Sequence, residues 1–317
     1  LPDCTNAAPP VTTPIPDTLI DLPLRPADAA SPRLRRRFGA PLRWLVARDA
    51  GDVAPTIDAA HAEAIAGRWC IGWVAYEAAS AFDPVFVAGE HVHAPDGVLA
   101  AFAVFDEAHD CADAEHAAWT TDDWHVAPGA IDPDGPDFTR IVESIRAHIA
   151  DGDVYQVNLT TRLASTLTGD AAAYFRALHR SQPHGYAIHL PHAVDGMPAC
   201  VSSVSPELFF HWKDGVVTTQ PMKGTAPRGA DDATDRASAD ALLATPKERA
   251  ENLMIVDLLR NDLSRIAAPG SVRVPRLFEL HALPTVWQMT STIRARTRPG
   301  LRLAELFAAL FPCGSVT

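Results

Sequence analysis

The sequence predicts an α+β fold in which mainly antiparallel strands are wrapped by helices. Short apolar runs alternate with turn signals in the first half, at Leu42–Val46, Cys70–Tyr76 and Val98–Phe105. Further short strands crowd together near 186–190, 199–204 and 207–211. Segments of helical period separate them, above all Phe138, Ile141, Val142, Ile145 and Ile149 and the stretch from Thr245 to Leu263. At 317 residues there is room for one large domain or two ordinary ones.

The formal charge of −12 disfavours nucleic acid and anionic membranes as partners. A chain this acidic that takes an anionic ligand must build a local positive site from Lys, Arg or a metal. Its five cysteines, Cys4, Cys70, Cys111, Cys200 and Cys313, are scattered, odd in number and without a CxxC pair, which fits reduced thiols in a cytoplasmic protein. No apolar run approaches the length of a membrane span, and the Pro-rich start has no signal-peptide core.

Taken in order, residues 1–32 hold eight prolines and little periodicity, so they read as a loosely packed arm. Residues 33–130 form an N-terminal subdomain, with a helix over Thr56–Ala66 that ends near Gly67. The run Pro128–Pro136 is the clearest linker, and 137–317 follows as a second domain. Its first helix closes at Gly152 as a C′ residue. A strand is then expected over Val154–Leu163, with Tyr155, Val157, Leu159 and Leu163 on one face and Gln156, Asn158 and Thr160 on the other. A polar face in an apolar domain is either exposed or lines a pocket. A helix at 170–180 precedes the strand cluster, and 226–238 reads as a loop rich in Asp, Arg and Ala.

The β-branched run Gly215–Thr219 leads into Gln220-Pro221-Met222-Lys223-Gly224-Thr225. On one strand Lys223 would share a face with Val217, Thr219 and Pro221, and Gly224 would let the backbone approach a ligand closely. A lone strand-end lysine is ordinarily a solvated surface group. Desolvated or beside another cation, it can lose its proton and attack carbon.

The helix from Thr245 carries a second constellation. Thr245 is a good N-cap, Pro246 suits N1, and Glu248 at N3 completes a capping box, a structural use that competes with any role in chemistry. Glu251 falls on the stripe with Ile255 and Leu258, and a buried acid needs a partner or a metal. A hard cation such as Mg²⁺ would supply one. Asp257 and Arg260, at i and i+3, read as a helix-surface or interdomain ion pair. His91, His93, His189 and His192 lack a third nearby ligand and read as ordinary loop histidines.

Together these segments resemble the chorismate-utilising enzymes, in particular the aminodeoxychorismate synthase component I branch. The motifs follow in that family's order: Gly72-Trp73-Val74-Ala75-Tyr76-Glu77, Asp151–Leu159, Ser205-Pro206-Glu207, Pro221-Met222-Lys223-Gly224-Thr225, Glu251-Asn252 through Asp262, Trp287–Thr292 and Phe311–Thr317. Lys223 stands sixteen residues after Glu207 and twenty-eight before Glu251. Relatives making anthranilate, isochorismate or salicylate usually carry Ala at the Lys223 position, and those adding water to chorismate carry a lysine base where Gln156 stands. Gln288 replaces a His found near the reacting ring in many relatives.

The resemblance implies a layered α/β/β/α sandwich of mainly antiparallel sheets. It also implies a reaction, chorismate plus ammonia giving 4-amino-4-deoxychorismate for para-aminobenzoate and folate synthesis. In it Lys223 is the nucleophile and Glu207 the general acid, with Mg²⁺ held by Glu251 and, in an outer role, Glu248. Gly224, Thr225, Gln156, Gln288, Gly314, Ser315 and Thr317 would line the substrate site. No Gly-x-Cys-x-Gly elbow is present, so the ammonia is expected from a separate glutamine amidotransferase subunit. Thr317 falls inside the substrate loop, so a second metal-binding Glu and a carboxylate-gripping Arg are expected beyond it, and the chain as given is expected to be impaired. The alternatives are anthranilate synthase component I and a non-catalytic remnant that binds chorismate or the amidotransferase.

Overall fold

The computed structural model describes residues 17–25, 31–86, 97–111, 123–132, 135–160, 162–191, 194 and 200–314. Along the first half run β1 (Thr18–Pro23), β2 (Arg33–Phe38), β3 (Arg43–Ala47), α1 (Ala50–Ile65), β4 (Trp69–Val74), β5 (Ala100–Phe105) and β6 (His109–Asp110). Then come β7 (Trp124–Val126), β8 (Ala130–Asp132), α2 (Gly135–Asp151), β9 (Arg162–Ala164), β10 (Leu167–Gly169), α3 (Ala171–Ser181), β11 (Tyr186–Leu190) and β12 (Val201–Ser205). The rest comprises β13 (Leu208–Lys213), β14 (Val216–Gln220), β15 (Met222–Pro227), α4 (Asp232–Ala244), α5 (Pro246–Ser264), β16 (Arg273–Ala282), β17 (Val286–Arg296) and α6 (Leu303–Leu310). Every strand pairing among them is antiparallel, the α+β arrangement expected.

The N-terminal arm is not loosely packed where it is described. Thr18 to Asp21 are buried, and β1 lies inside a sheet of order β12-β11-β1-β2-β6. The short run Thr18-Leu19-Ile20-Asp21-Leu22 is hidden in the sequence by flanking prolines, yet it offers two apolar side chains to the core. Buried Asp21 accepts from Arg33 Nε at 2.5 Å and Arg35 Nε at 3.1 Å, and His179 Nε2 lies 2.9 Å away. Burial opposes its ionisation, but the His179 and Arg33 hydrogen bonds and the charges of Arg33 and Arg35 outweigh that and hold the carboxyl far below the usual range. Because β1 pairs with β11, strands from both sides of the expected linker share one sheet. Within that linker, Ala130–Asp132 itself pairs with β9.

A second sheet, β3-β5-β4, packs on the first through Ile20, Phe38, Ile71, Ala103, Phe105 and Leu190. The third sheet carries the candidate site. There β14 and β15 follow one another along one edge of β17, and β16 takes the other edge. Helices α5 and α6 cover this sheet through Val217, Ile255, Val256, Leu259, Leu263, Ile293 and Leu306.

Four local expectations change. Residues 154–160 form no ladder, and only Arg162–Ala164 pairs as a strand; Gln156 and Asn158 bond through their side chains, and Tyr155 is 92% exposed. The expected loop 226–238 holds the start of α4, which Asp231 and Thr234 open with a reciprocal capping box. Thr245 does not cap α5. Its hydroxyl donates back to Ala241 O at 2.7 Å, so no capping box forms with Glu248, although Pro246 does open the helix. The buried stripe of α5 is Asn252, Ile255, Val256, Leu259 and Leu263, which leaves Leu258 41% exposed and Glu251 at the margin. Gly152 does follow α2 at φ +82°, as a C′ residue should. Among the described residues, no helix is long and apolar enough to cross a membrane, and Cys70 and Cys200 are free thiols.

Candidate active site

Lys223 sits at a break in a strand edge. The register along β17 runs unshifted from Val216↔Arg296 to Met222↔Thr290, with Pro221 dividing β14 from β15, and then slips so that Thr225 faces Gln288. Lys223 and Gly224 therefore oppose Met289 alone, which is a β-bulge. Gly224 adopts φ +98°, and a Cβ there would lie 3.3 Å from Met289 Cβ and 3.4 Å from Glu248 Cβ and Oε2. Only glycine suits that position. It also brings Glu248, released from the capping box, against the bulge.

Side chains from several elements hold the bulge. The turn Ser205-Pro206-Glu207 is closed by Ser205 Oγ, which bonds both the N–H and the carbonyl of Glu207 at 3.2 and 3.0 Å. It directs the carboxyl to Met222, whose N–H donates to Glu207 Oε1 at 3.1 Å. Asn252 Nδ2 donates to the Lys223 carbonyl at 3.2 Å, and Gln288 Nε2 to the Gly224 carbonyl at 3.0 Å. The Thr225 hydroxyl donates to Gln288 Oε1 at 2.9 Å. Downstream, Asp235 of α4 accepts from Arg228, Gly229 N–H and Trp287 Nε1, tying that helix to β15 and β17 and keeping its carboxyl far below the ordinary range.

The amine of Lys223 donates to Asn158 Oδ1 at 3.1 Å, and Gln156 Nε2 approaches the same oxygen at 3.3 Å. The polar side of segment 154–160 thus faces the lysine, and its apolar side, with Tyr155, Val157 and Leu159, is exposed. Glu251 lies one turn past Glu248, partly exposed and 3.6 Å from Lys247 Nζ. Gly314 packs against Leu258, while Ser315 and Thr317 lie outside the described residues. Asp257 and Arg260 form the surface pair expected, at 2.7 Å. His189 is a core residue, stacked on Phe175 and 2.9 Å from Ser202 Oγ; His91, His93 and His192 lie outside the described residues.

The structure thus gathers Lys223, Glu207, Gly224, Thr225, Gln156, Gln288 and Glu248 around one bulge, with Glu251 on the adjoining helical turn. It adds Asn158, Asn252 and Ser291, to which the sequence assigned no role. Asn252 could have been found as an amide on an apolar stripe, and Asn158 as the companion of Gln156 on the polar face. Among the described residues, no group of three or more His, Cys, Asp or Glu is arranged to hold a metal. Glu248 and Glu251 are a two-carboxylate set that suits a hard cation completed by oxygens from substrate and water. A cavity of about 390 Å³ adjoins the bulge, lined by Arg33, Arg35, Tyr186, Met222, His281 and Thr290, but it contains none of Lys223, Glu207 or Glu248. Burial there pushes the Tyr186 phenol up to about 12.

A family model described as chorismate binding enzyme matches residues 37–317. Aminodeoxychorismate synthase component 1 of Klebsiella aerogenes is 45% identical over 175 residues, which make up 55% of the chain and 38% of that relative. Among solved structures, anthranilate synthase component I from Streptococcus pneumoniae TIGR4 superposes with a TM-score of 0.64 at 25% identity, covering 79% of the chain and 62% of its own. A menaquinone-specific isochorismate synthase from Escherichia coli superposes at 0.60, covering 96% and 69%, and at 15% identity it speaks to the fold alone.

Proposed function

The chain belongs to the chorismate-binding enzymes, and we propose that the whole protein is an aminodeoxychorismate synthase component I, which replaces the C4 hydroxyl of chorismate with ammonia. The observation that carries this reading is Lys223 at the bulge, its amine held by the uncharged oxygen of Asn158. A neutral acceptor orients a lysine without the bias towards the ammonium form that a carboxylate would impose. The identity to the Klebsiella aerogenes relative supports the same branch.

In this mechanism Lys223 Nζ attacks C2 of chorismate as the C4–O bond breaks. Glu207 gives its proton to the departing hydroxyl, which leaves as water. Ammonia then forms a bond at C4 while the C2–N bond to Lys223 breaks, returning the amine to the enzyme. The two displacements give retention at C4. Glu207, placed by the Ser205 turn, needs its proton at the first step and is recharged from solvent at the end.

Chorismate is a dicarboxylate, and the carboxylates of Glu207 and Glu248 border the bulge that bears this lysine, with Glu251 one helical turn further on. Mg²⁺ held by Glu251 and Glu248 would offset the substrate's charge and anchor its ring carboxylate. Gly224 and Thr225 would meet the substrate through the bulge, with Gln156 next to the amine. A glutamine amidotransferase subunit is the proposed ammonia source.

The test incubates the complete protein with chorismate, Mg²⁺ and ammonium and identifies the product by mass. 4-Amino-4-deoxychorismate supports the reading. Anthranilate with pyruvate would assign the protein to the anthranilate branch instead, and no turnover would leave a binding protein. A Lys223→Ala variant that kept full amination would remove the covalent step.

A further inference from the structure

At the bulge, three neighbouring main-chain groups take side-chain partners from three different elements: Met222 N–H from Glu207, the Lys223 carbonyl from Asn252 and the Gly224 carbonyl from Gln288. Asn252 is the most deeply placed of these, 1% exposed on a stripe otherwise made of Ile255, Val256, Leu259 and Leu263. Helix packing alone would be better served there by an apolar residue, since a buried amide costs free energy unless its groups are bonded. Its oxygen is held by Ser291, itself fully buried, whose hydroxyl donates to Asn252 Oδ1 at 2.6 Å. That bond leaves Nδ2 to face Lys223. Ser291 Oγ in turn accepts from the N–H of Phe278 at 3.1 Å, where β16 bulges and Phe278 takes the strained φ of +58°.

We infer that Asn252, oriented by Ser291, is a positioning residue for Lys223. A directed chain runs from Phe278 N–H through the Ser291 hydroxyl to the Asn252 amide and ends on the Lys223 carbonyl. It sets the rotation of the Lys223–Gly224 peptide, which glycine's freedom at φ +98° would otherwise leave loose. Holding that peptide fixes the shape of the bulge from which the Lys223 side chain projects, and with it the approach of the amine to Asn158. Asn252 also joins α5, which bears Glu248 and Glu251, to the strand bearing the lysine. The assignment rests on the reading of Lys223 as nucleophile, and the test separates the two.

The chain has just three lysines, Lys213, Lys223 and Lys247, so acetylation by an N-hydroxysuccinimide ester can be followed at each by peptide mass spectrometry. Lys213 and Lys247 are exposed and serve as internal references. In the native protein the Lys223:Lys213 ratio should lie well below its value in urea. Asn252→Asp keeps the acceptor for Ser291 but removes the donor to Lys223, and Asn252→Leu removes both. Either should move the Lys223 ratio at least about threefold towards the unfolded value and leave Lys247:Lys213 unchanged. In the complete protein, kcat for amination should fall about 100-fold, the scale of a displacement near 1 Å, with KM for chorismate within about twofold. Ser291→Ala should move both readouts the same way by less. Folded Asn252 variants with native labelling ratios and native kcat would overturn the inference, as would a loss of kcat no larger than the loss of folded protein. If the unaltered protein turns over no chorismate, the catalytic reading fails, and the labelling ratio still decides whether Asn252 places Lys223.

Discussion

The amine of Lys223 and the side-chain oxygen of Asn158 meet at 3.1 Å across 65 residues of sequence. The contact joins the irregular segment after α2 to the bulge of the third sheet, and its partner is uncharged. Asn158 and Asp have nearly the same shape, so exchanging them isolates charge from geometry.

Asn158→Asp should set a carboxylate against the amine and favour its protonated, non-nucleophilic form. Amination by the complete protein should fall about tenfold or more at neutral pH, about 1.4 kcal/mol in the barrier. The loss should shrink as the pH is raised, because the opposing charge matters less once the amine has lost its proton. Asn158→Leu should lose activity without that recovery. Identical pH–rate profiles for the two variants would show that the acceptor's charge is immaterial.

Gly224→Ala tests the bulge. Its φ of +98° strains any L-residue, and the added Cβ would lie 3.3 Å from Met289 Cβ. Together these should cost about 1–3 kcal/mol of stability. Chemical denaturation should show a lower midpoint at unchanged slope, and amination should drop further than stability does, because the Lys223 peptide shifts. An alanine variant of native stability and activity would mean that the loop accepts another conformation.

The sheet that bears the site was legible where strands are short and β-branched, and the helix from Pro246 was legible from its first turn onward. What the sequence hid depends on contacts that only folding creates. Residues 18–23 read as part of a Pro-rich arm because a six-residue strand carries too little pattern to outweigh the prolines around it, and its place is set by β2 and β11. Thr245 and Glu248 have the spacing of a capping box, but the hydroxyl finds Ala241 O first. Placing the helical stripe one position off put Glu251 on the apolar side and left Asn252 unremarked. Lys223 and Glu207 could be singled out from motifs, whereas Asn158 and Ser291 acquire their meaning from distance.

Asp21 gives the fold a dependence on pH. Burial alone would raise its pKa, but His179, Arg33 and Arg35 lower it far below the ordinary carboxylate value. A depressed folded-state pKa means that the stabilisation is complete above the unfolded value, about 3.9, and is lost as pH falls through it towards the folded one. Asp21→Asn leaves the two guanidinium groups without their buried anion and should destabilise by about 3 kcal/mol at pH 7. Urea midpoints of the variant and the native protein should differ by a constant amount from about pH 8 to 5 and converge below about pH 4. A gap that persists undiminished at pH 3, or none at pH 7, would assign the stability of β1 to its apolar contacts instead.

Glu248 and Glu251 invite the remaining prediction. They are one helical turn apart, one beside the bulge and the other against Lys247, and as carboxylates near a dianionic substrate they would repel it unless a cation intervenes. Amination by the complete protein should therefore require Mg²⁺ and cease when it is chelated. Glu251→Gln should raise the Mg²⁺ concentration for half-maximal rate by about tenfold or more, and Glu248→Gln by less if its role is outer. Lys247 should matter little, because its ion pair is exposed, with the lysine 77% accessible. Lys247→Met should shift the Mg²⁺ requirement by less than about twofold, and towards tighter binding, since it removes a competing cation. If both glutamine variants kept the native Mg²⁺ requirement, the two carboxylates would be serving the fold, and the charge of the substrate would have to be met elsewhere.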